Sequence, residues 1–210
     1  LGRELGAARR IVVTGSGADE VREAVAKQDV ELVLQREQLG TAHAALQARA
    51  ALADHDGPVL VMNVDHPLYR SRTLAALRET WESRKAGLAI LVTEMPDPTG
   101  YGRVIRDASG RVTRVVEQND CSEAERGVRE VNLGAYLADA RTLFELLARV
   151  GNQNAKSEFY ITDLVELAIA SGRPVESYAA DDWRESLGIN TRKELARAEA
   201  LLRERIAEQL

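Results

Sequence analysis

The sequence predicts an α/β fold: a Rossmann-like, mostly parallel sheet flanked by helices, with a β-rich substrate lobe built on the same sheet. Three observations carry this expectation. Short apolar runs alternate with segments of helical period in the first half of the chain, the pattern of successive βαβ units. The two most apolar runs, around Val59–Met62 and Leu88–Val92, are continuous rather than alternating, as strands covered on both faces require. After Met95 the pattern changes, and Pro96, Pro98, Gly100 and Gly102 open a turn-rich stretch followed by a hairpin.

The elements follow in order. Ile11-Val12-Val13 reads as a strand closed by Gly15-Ser16-Gly17, and 19–27 as a short helix with Val21 and Val25 on one face. Leu32-Val33-Leu34 is a further strand. The Ala-, Leu- and Gln-rich stretch 41–53 predicts a helix. Residues 58–64 form a strand buried on both faces, 71–84 a helix and 88–92 a second buried strand. Residues 103–106 and 111–116 flank Asp107-Ala108-Ser109-Gly110 as a hairpin. Strand 131–137, helix 141–150, helix 161–171 stopped by Gly172, and strand 175–178 complete the sheet. A last helix starts at Thr191, whose capping box is closed by Glu194, and carries the stripe Leu195, Ala198, Leu201, Leu202, Ile206.

Composition narrows the function classes. With 210 residues the chain can bury a sizeable core. Hydrophobic residues at 45% and charged ones at 29% exclude a disordered chain. A net charge of −5 supplies no field that would draw in nucleic acid or an anionic membrane, so a polyphosphate ligand would need a local cation. The lone cysteine, Cys121, excludes an internal disulfide and has acidic and polar sequence neighbours, which reads as an incidental thiol. No apolar run is long enough to span a membrane. A cytoplasmic protein is the expectation, and the oligomeric state is open.

Several segments carry residues suited to chemistry. In Gln35-Arg36-Glu37-Gln38-Leu39-Gly40-Thr41-Ala42-His43, Gly40 permits close backbone approach and Thr41 stands where a helix N-cap would. Gln35 presents a donor and an acceptor. The residues alone favour a plain strand-to-helix turn, and His43 is given no role. Asp65, in Asn63-Val64-Asp65-His66-Pro67, follows the end of an apolar strand, where ligands of open α/β sheets gather. A metal ligand and a turn cap are equally open readings there. Alternation along a strand argues against a direct His66–Asp65 pair. Gly102, Glu117, Asn132, Tyr160 and Thr162 are polar or glycine positions at element junctions, each equally able to serve at the surface.

Taken together these segments resemble one family. Gln35-x-x-Gln38-Leu39-Gly40-Thr41-x-His43-Ala44, Asp65-x-Pro67-Leu68, Pro98-Thr99-Gly100-Tyr101-Gly102-Arg103, Glu130-Val131-Asn132-x-Gly134, Glu158-Phe159-Tyr160-Ile161-Thr162-Asp163 and Gly188-Ile189-Asn190 occur in order. They resemble the uridylyltransferase (pyrophosphorylase) domain of bifunctional bacterial N-acetylglucosamine-1-phosphate uridylyltransferase/glucosamine-1-phosphate acetyltransferases. The likeness runs from Ile11 onward. It implies a nucleotide-diphospho-sugar transferase fold with a sugar-binding lobe, and formation of UDP-N-acetylglucosamine and pyrophosphate from UTP and N-acetylglucosamine 1-phosphate, with Mg²⁺ bridging the phosphates. By the resemblance, Gln35, Gly40 and Thr41 read the uracil, and Asp65, the catalytic residue, and Asn190 hold the Mg²⁺. Gly102, Glu117, Asn132, Tyr160 and Thr162 hold the sugar and its phosphate. Residues 1–190 are then a nucleotidyltransferase domain and 191–210 a connector helix.

The departures are specific. The family's glycine-rich triphosphate loop, Leu-Ala-Ala-Gly-x-Gly-Thr-Arg-Met, has no counterpart in the sequence, nor do hexapeptide repeats of the acetyltransferase domain. The expectation is a domain lacking both, with an open sheet edge where the loop's strand would lie. Val64 stands in place of a glycine and is expected to crowd the ribose, Asn119 replaces a lysine, and Leu133 replaces a threonine. Two rival expectations remain: a loop-less module that holds UDP-sugar without turning it over, and a nucleotidyltransferase for another sugar 1-phosphate.

Overall fold

A computed structural model describes residues 1–207; positions 208–210, the tail of the expected connector helix, lie outside the described residues. The order of elements is β1 (Ile11–Thr14), α1 (Ala18–Val25), β2 (Glu31–Leu34), α2 (Thr41–Gln47), β3 (Pro58–Met62), α3 (Ser71–Ser83), β4 (Leu88–Glu94), β5 (Arg103–Arg106), β6 (Val112–Val116), α4 (Glu123–Arg126), β7 (Glu130–Asp139), α5 (Ala140–Leu147), α6 (Leu164–Ala170), β8 (Val175–Ala179) and α7 (Arg192–Ala207). Two 3₁₀ turns, Ile161–Asp163 and Trp183–Ser186, precede α6 and α7.

The α/β class expected from the sequence is the class observed. The main sheet has six strands in the order β6-β5-β7-β4-β8, with β3 also on β7, and it is mixed. β4 and β8 pair in parallel, whereas β7 runs antiparallel to β3, β4 and β5. β3 and β4 therefore share a direction without touching, because β7 lies between them. β1 and β2 pair in parallel as a separate two-stranded sheet.

β4 is the centre of the core, with residues 88–92 all at 0% exposure. Alternation sends Leu88, Ile90 and Val92 to one face, against Leu143 and Leu146 of α5 and Leu164 of α6. Ala89 and Leu91 go to the other, against Leu74 and Leu77 of α3. Each such large side chain contributes roughly 1.5–3 kcal/mol by leaving water. β3 differs from expectation: it pairs only with β7, and its apolar residues are half-buried. The apolar run reads as a central strand, but burial on both faces needs neighbours that β3 lacks on one edge. Likewise α2 ends at Gln47 and the chain continues in turns to 54, short of the helix expected to 53.

β7 carries the irregularity that shapes the site. Between the pairs Ile90–Tyr136 and Val92–Asn132, the single residue Leu91 stands opposite Leu133, Gly134 and Ala135. A bulge of this kind bends a strand and re-aims its side chains. Gly134 adopts φ +73°, a left-handed backbone that favours glycine, and a Cβ there would push against Asn63 Nδ2 at 2.4 Å. The bend lets β7 pair with β5 before it and with β3 after it.

α7 starts as expected. Thr191 Oγ1 accepts from the Glu194 amide at 3.2 Å, and Glu194 accepts from the Thr191 amide at 2.8 Å. Ala198 is buried, and Arg205 donates to the Leu68 carbonyl at 2.7 Å and pairs with Asp182 at 3.3 Å. The helix is thereby fastened to the loop that follows β3. No helix of the described residues is long and apolar enough to cross a membrane.

Candidate functional site

A cavity of about 380 Å³ opens at the β7 bulge. Its wall is built from the loop after β3 (Asn63, Asp65, His66), the loop before β5 (Thr99, Gly100, Tyr101, Gly102), Glu117 at the end of β6, Asn132 and Gly134 of β7, and Gly188, Asn190 and Glu194 around the start of α7. Five of the sequence-predicted residues meet here: Asp65, Gly102, Glu117, Asn132 and Asn190.

Each is placed by a traceable contact. The loop before β5 is anchored by Arg103, 2% exposed, which donates to the Tyr101 carbonyl and, at 2.7 Å, to Gln118. Gln118 also accepts from the Gly100 amide at 3.0 Å, so the loop folds back against the end of β6. A Cβ on Gly102 would lie 3.6 Å from the Glu117 carboxylate. The Asn132 amide donates to the Gly102 carbonyl at 2.9 Å, joining β7 to the same corner. Tyr101 reaches across to donate to the Ser186 carbonyl at 3.1 Å. The Ile189 amide donates to the Asp65 carbonyl at 2.9 Å, which sets Asn190 beside the Asp65 loop.

The polar groups of the cavity keep unused capacity. Asn132 donates through Nδ2 to the Tyr136 hydroxyl at 2.7 Å, and its Oδ1 is buried without a partner. Burial raises the pKa of Glu117, while the Thr162 hydroxyl, donating to Oε1 at 3.2 Å, works the other way. That bond ties Thr162 to the site from outside the wall. Tyr136, fully enclosed, has its hydroxyl pushed well above the ordinary range by burial, so it serves Asn132 as a neutral phenol.

Asp65 and His66 are closer than strand alternation allows. His66 Nε2 lies 3.8 Å from Asp65 Oδ1. The strand has ended at Met62 and residues 64 and 65 form a turn, so opposite-face placement does not apply. Burial lowers the His66 pKa and the Asp65 charge opposes that effect. Val64 is 88% exposed and forms no part of the cavity wall.

Gln35, Gly40, Thr41 and Tyr160 stand apart from the cavity wall. Gln35 is buried, and its Nε2 lies 3.2 Å from the Gly40 carbonyl and 2.9 Å from His43 Nδ1. His43, to which the sequence assigned nothing, thus braces this turn. Gly40, at φ +117°, occupies the helix N-cap position expected for Thr41. A Cβ on Gly40 would fall 2.6 Å from the Phe159 carbonyl oxygen. Thr41 accepts instead from the Ile161 amide at 2.9 Å. The loop Leu39–Ala42 is bonded to Phe159 through Phe159 N to Leu39 O at 2.8 Å and Ala42 N to Phe159 O at 2.9 Å. Tyr160 is 8% exposed, with its hydroxyl raised to about 12 by burial. Cys121 is buried, its thiol 3.5 Å from the Val116 carbonyl and pushed up by burial, which keeps it an unreactive thiol.

Asn63, His66 and Glu194 line the cavity without having been singled out. Asn63 and His66 flank Asp65 in the quoted segment, and Glu194 was read only as a cap. The missing signal was spatial: the turn after β3 and the first turn of α7 face one another. The donors present are hard oxygens of Asp65, Asn190 and Glu194, with the imidazole of His66. Among the described residues no three His, Cys, Asp or Glu side chains gather to hold a metal ion by themselves. A carboxylate and an amide oxygen that leave further coordination to water and phosphate suit a small divalent cation.

Comparison with known proteins accords with this arrangement. The chain is similar to the bifunctional protein GlmU of Brevibacillus brevis, at 46% identity over 93% of the chain and 42% of that protein. It is 44% identical to the bifunctional protein GlmU of Cupriavidus pinatubonensis over 99% of the chain and 45% of that protein. It thus spans less than half the length of the curated relatives it matches. A UDP-glucose pyrophosphorylase solved in complex with UDP-glucose shares the fold, with a TM-score of 0.69 at 14% identity, over 97% of this chain and 84% of that one. The nucleotidyl transferase family profile matches residues 7–188, and the chain belongs to that family.

Proposed function

We propose that this protein forms UDP-N-acetylglucosamine and pyrophosphate from UTP and N-acetylglucosamine 1-phosphate. The observation that carries the reading is the cavity corner made by Asn132, Glu117 and Gly102. A buried acceptor without a partner, Asn132 Oδ1, shares the cavity wall with the half-buried Glu117 carboxylate. Both accept from the N–H and O–H groups of a sugar ring, and an unfilled buried acceptor costs about 1–3 kcal/mol until a ligand satisfies it. The identity to bifunctional GlmU proteins, with the motif resemblance to N-acetylglucosamine-1-phosphate uridylyltransferases, supports N-acetylglucosamine as the sugar.

In this reading the N-acetylglucosamine lies across Glu117 and Asn132, with Thr162 steadying Glu117 and Gly102 leaving room for the ring. The attacking oxygen belongs to the sugar's own phosphate, so the protein's task is alignment rather than proton removal. Asp65 and Asn190 are the residues that would hold Mg²⁺, which supplies charge neutralisation to the reacting phosphates. Gln35, Gly40 and Thr41 form the uracil side, with the Gln35 amide group held by Gly40 and His43, and Tyr160 joins Glu117 and Asn132 in holding the sugar. Residues 1–190 act as the catalytic unit, with the last helix as a connector.

The test is pyrophosphate release by the protein as its gene encodes it, with UTP, Mg²⁺ and either N-acetylglucosamine 1-phosphate or glucose 1-phosphate. Turnover with the first and little with the second is expected. Turnover confined to glucose 1-phosphate, or none with either, overturns the reading.

A further inference from the structure

His66 shares the cavity wall with Asp65, and its hydrogen bonding determines which ring nitrogen faces that cavity. The Tyr69 hydroxyl has one proton and two contacts. One is to the Leu133 carbonyl oxygen, which can only accept. The proton therefore goes to Leu133, and the other contact, to His66 Nδ1 at 3.2 Å, is made with His66 as donor. In the neutral ring the hydrogen therefore sits on Nδ1 and the lone pair is on Nε2.

That nitrogen lies near the Asp65 carboxylate. Nε2 lies 3.8 Å from Asp65 Oδ1, so in that neutral tautomer two acceptors lie close together. A Cβ at position 188 would lie 3.1 Å from Nε2 and 3.7 Å from Asp65 Oδ2; glycine there leaves the donor pair uncovered. A metal-binding imidazole characteristically gives its other N–H to an oxygen acceptor, which fixes the ring and the tautomer. Tyr69, itself locked onto Leu133, does this for His66. Donors 3.8 Å apart are also within the span of two bonds of about 2.0–2.2 Å to one ion.

We propose that His66 Nε2 is a further metal ligand, joining Asp65 and Asn190, and that it biases the site toward Mn²⁺ or Co²⁺ over Mg²⁺. The proposal rests on the reading above that Asp65 and Asn190 hold the divalent ion. A nitrogen donor adds little for Mg²⁺, which favours oxygen, and more for later divalent ions.

Mn²⁺ is the probe. The protein is titrated with Mn²⁺, alone and with UDP-N-acetylglucosamine, and its electron spin-echo modulation is recorded. A directly bound imidazole ¹⁴N is expected in the wild type and absent in His66→Val. Mn²⁺ affinity should fall about tenfold in that variant, with Mg²⁺ affinity changed by less than about twofold. The wild-type spectrum needs no variant to fold. Mn²⁺ bound without nitrogen modulation overturns His66 ligation and leaves the Asp65–Asn190 reading standing. Absence of Mn²⁺ binding, or binding that Asp65→Asn does not weaken, overturns the underlying metal reading as well.

Discussion

Two polar clusters lie near the ends of the strands, and they use their hydrogen bonds differently. At the Gln35–Thr41 turn the side chains brace the chain itself: Gln35 holds Gly40 and His43, and Thr41 holds Ile161. At the cavity, Asn132 Oδ1 has no partner and His66 Nε2 lies 3.8 Å from the Asp65 carboxylate. The first cluster contributes shape through backbone packed so closely that only glycine fits at 40. The second contributes unsatisfied acceptors held in place by Tyr136, Tyr69 and Thr162. Substitutions in the first should cost stability before they cost chemistry, and those in the second should do the reverse.

Asp65→Asn should show the largest separation. It keeps the shape and removes the anionic oxygen, so pyrophosphate release should fall about 10²–10³-fold with an unchanged thermal midpoint. A large drop in the midpoint would show Asp65 to be a structural cap. Gly40→Ala should do the opposite, placing a Cβ against Phe159 in a left-handed backbone. A loss of about 2–3 kcal/mol in urea unfolding is expected, and full wild-type stability would refute the close packing described here.

Thr162→Val joins the two behaviours. It removes the donor to half-buried Glu117, and a hydrogen bond to a charged group is worth about 1.5–3 kcal/mol. The loss should be largest at high pH and shrink as pH falls and Glu117, whose pKa burial raises, takes up its proton. The KM for the sugar phosphate should rise more than kcat falls. An effect equal at high and low pH would place the Thr162 contribution elsewhere.

The smallest effect is expected at Asp163, whose pKa is raised to about 6, chiefly by burial. The folded chain holds a proton there that the unfolded chain, at an ordinary value of 3.8, has released. Stability from this group is therefore lost as pH rises from about 4 to about 6 and stays lower above that window. Asp163→Asn should be more stable than wild type at pH 7 and no different below about pH 4, measured by chemical unfolding. A variant less stable at pH 7 would reverse the sign argued here.

Much of the element order was legible because it depends on local pattern. The hairpin around Gly110, the α3 helix and the Thr191–Glu194 cap fall where residue spacing puts them. β3 was not legible as an edge strand, since an apolar run says nothing about how many neighbours a strand will have. The Asp65–His66 approach was hidden for a related reason: the alternation rule assumes a strand that in fact stops at Met62. His43 bracing Gln35, and Glu194 lining the cavity while capping α7, depend on segments meeting that are far apart in sequence or whose facing direction no local pattern reports.

The order of strands and helices, the family and the residue types that the proposed reading assigns to sugar, base and metal were determined by the sequence alone, because glycine, proline, capping and apolar spacing act over a few neighbours. Tertiary structure alone decided that β7 enters antiparallel between β3 and β4, and that its bulge at Gly134 gathers Asp65, Glu117, Asn132 and Asn190 around one cavity. It also decided that Tyr69 bonds His66 Nδ1 while His66 Nε2 lies 3.8 Å from Asp65. Those outcomes depend on which distant groups compete for the same proton and the same space, and that competition exists only once the chain is packed.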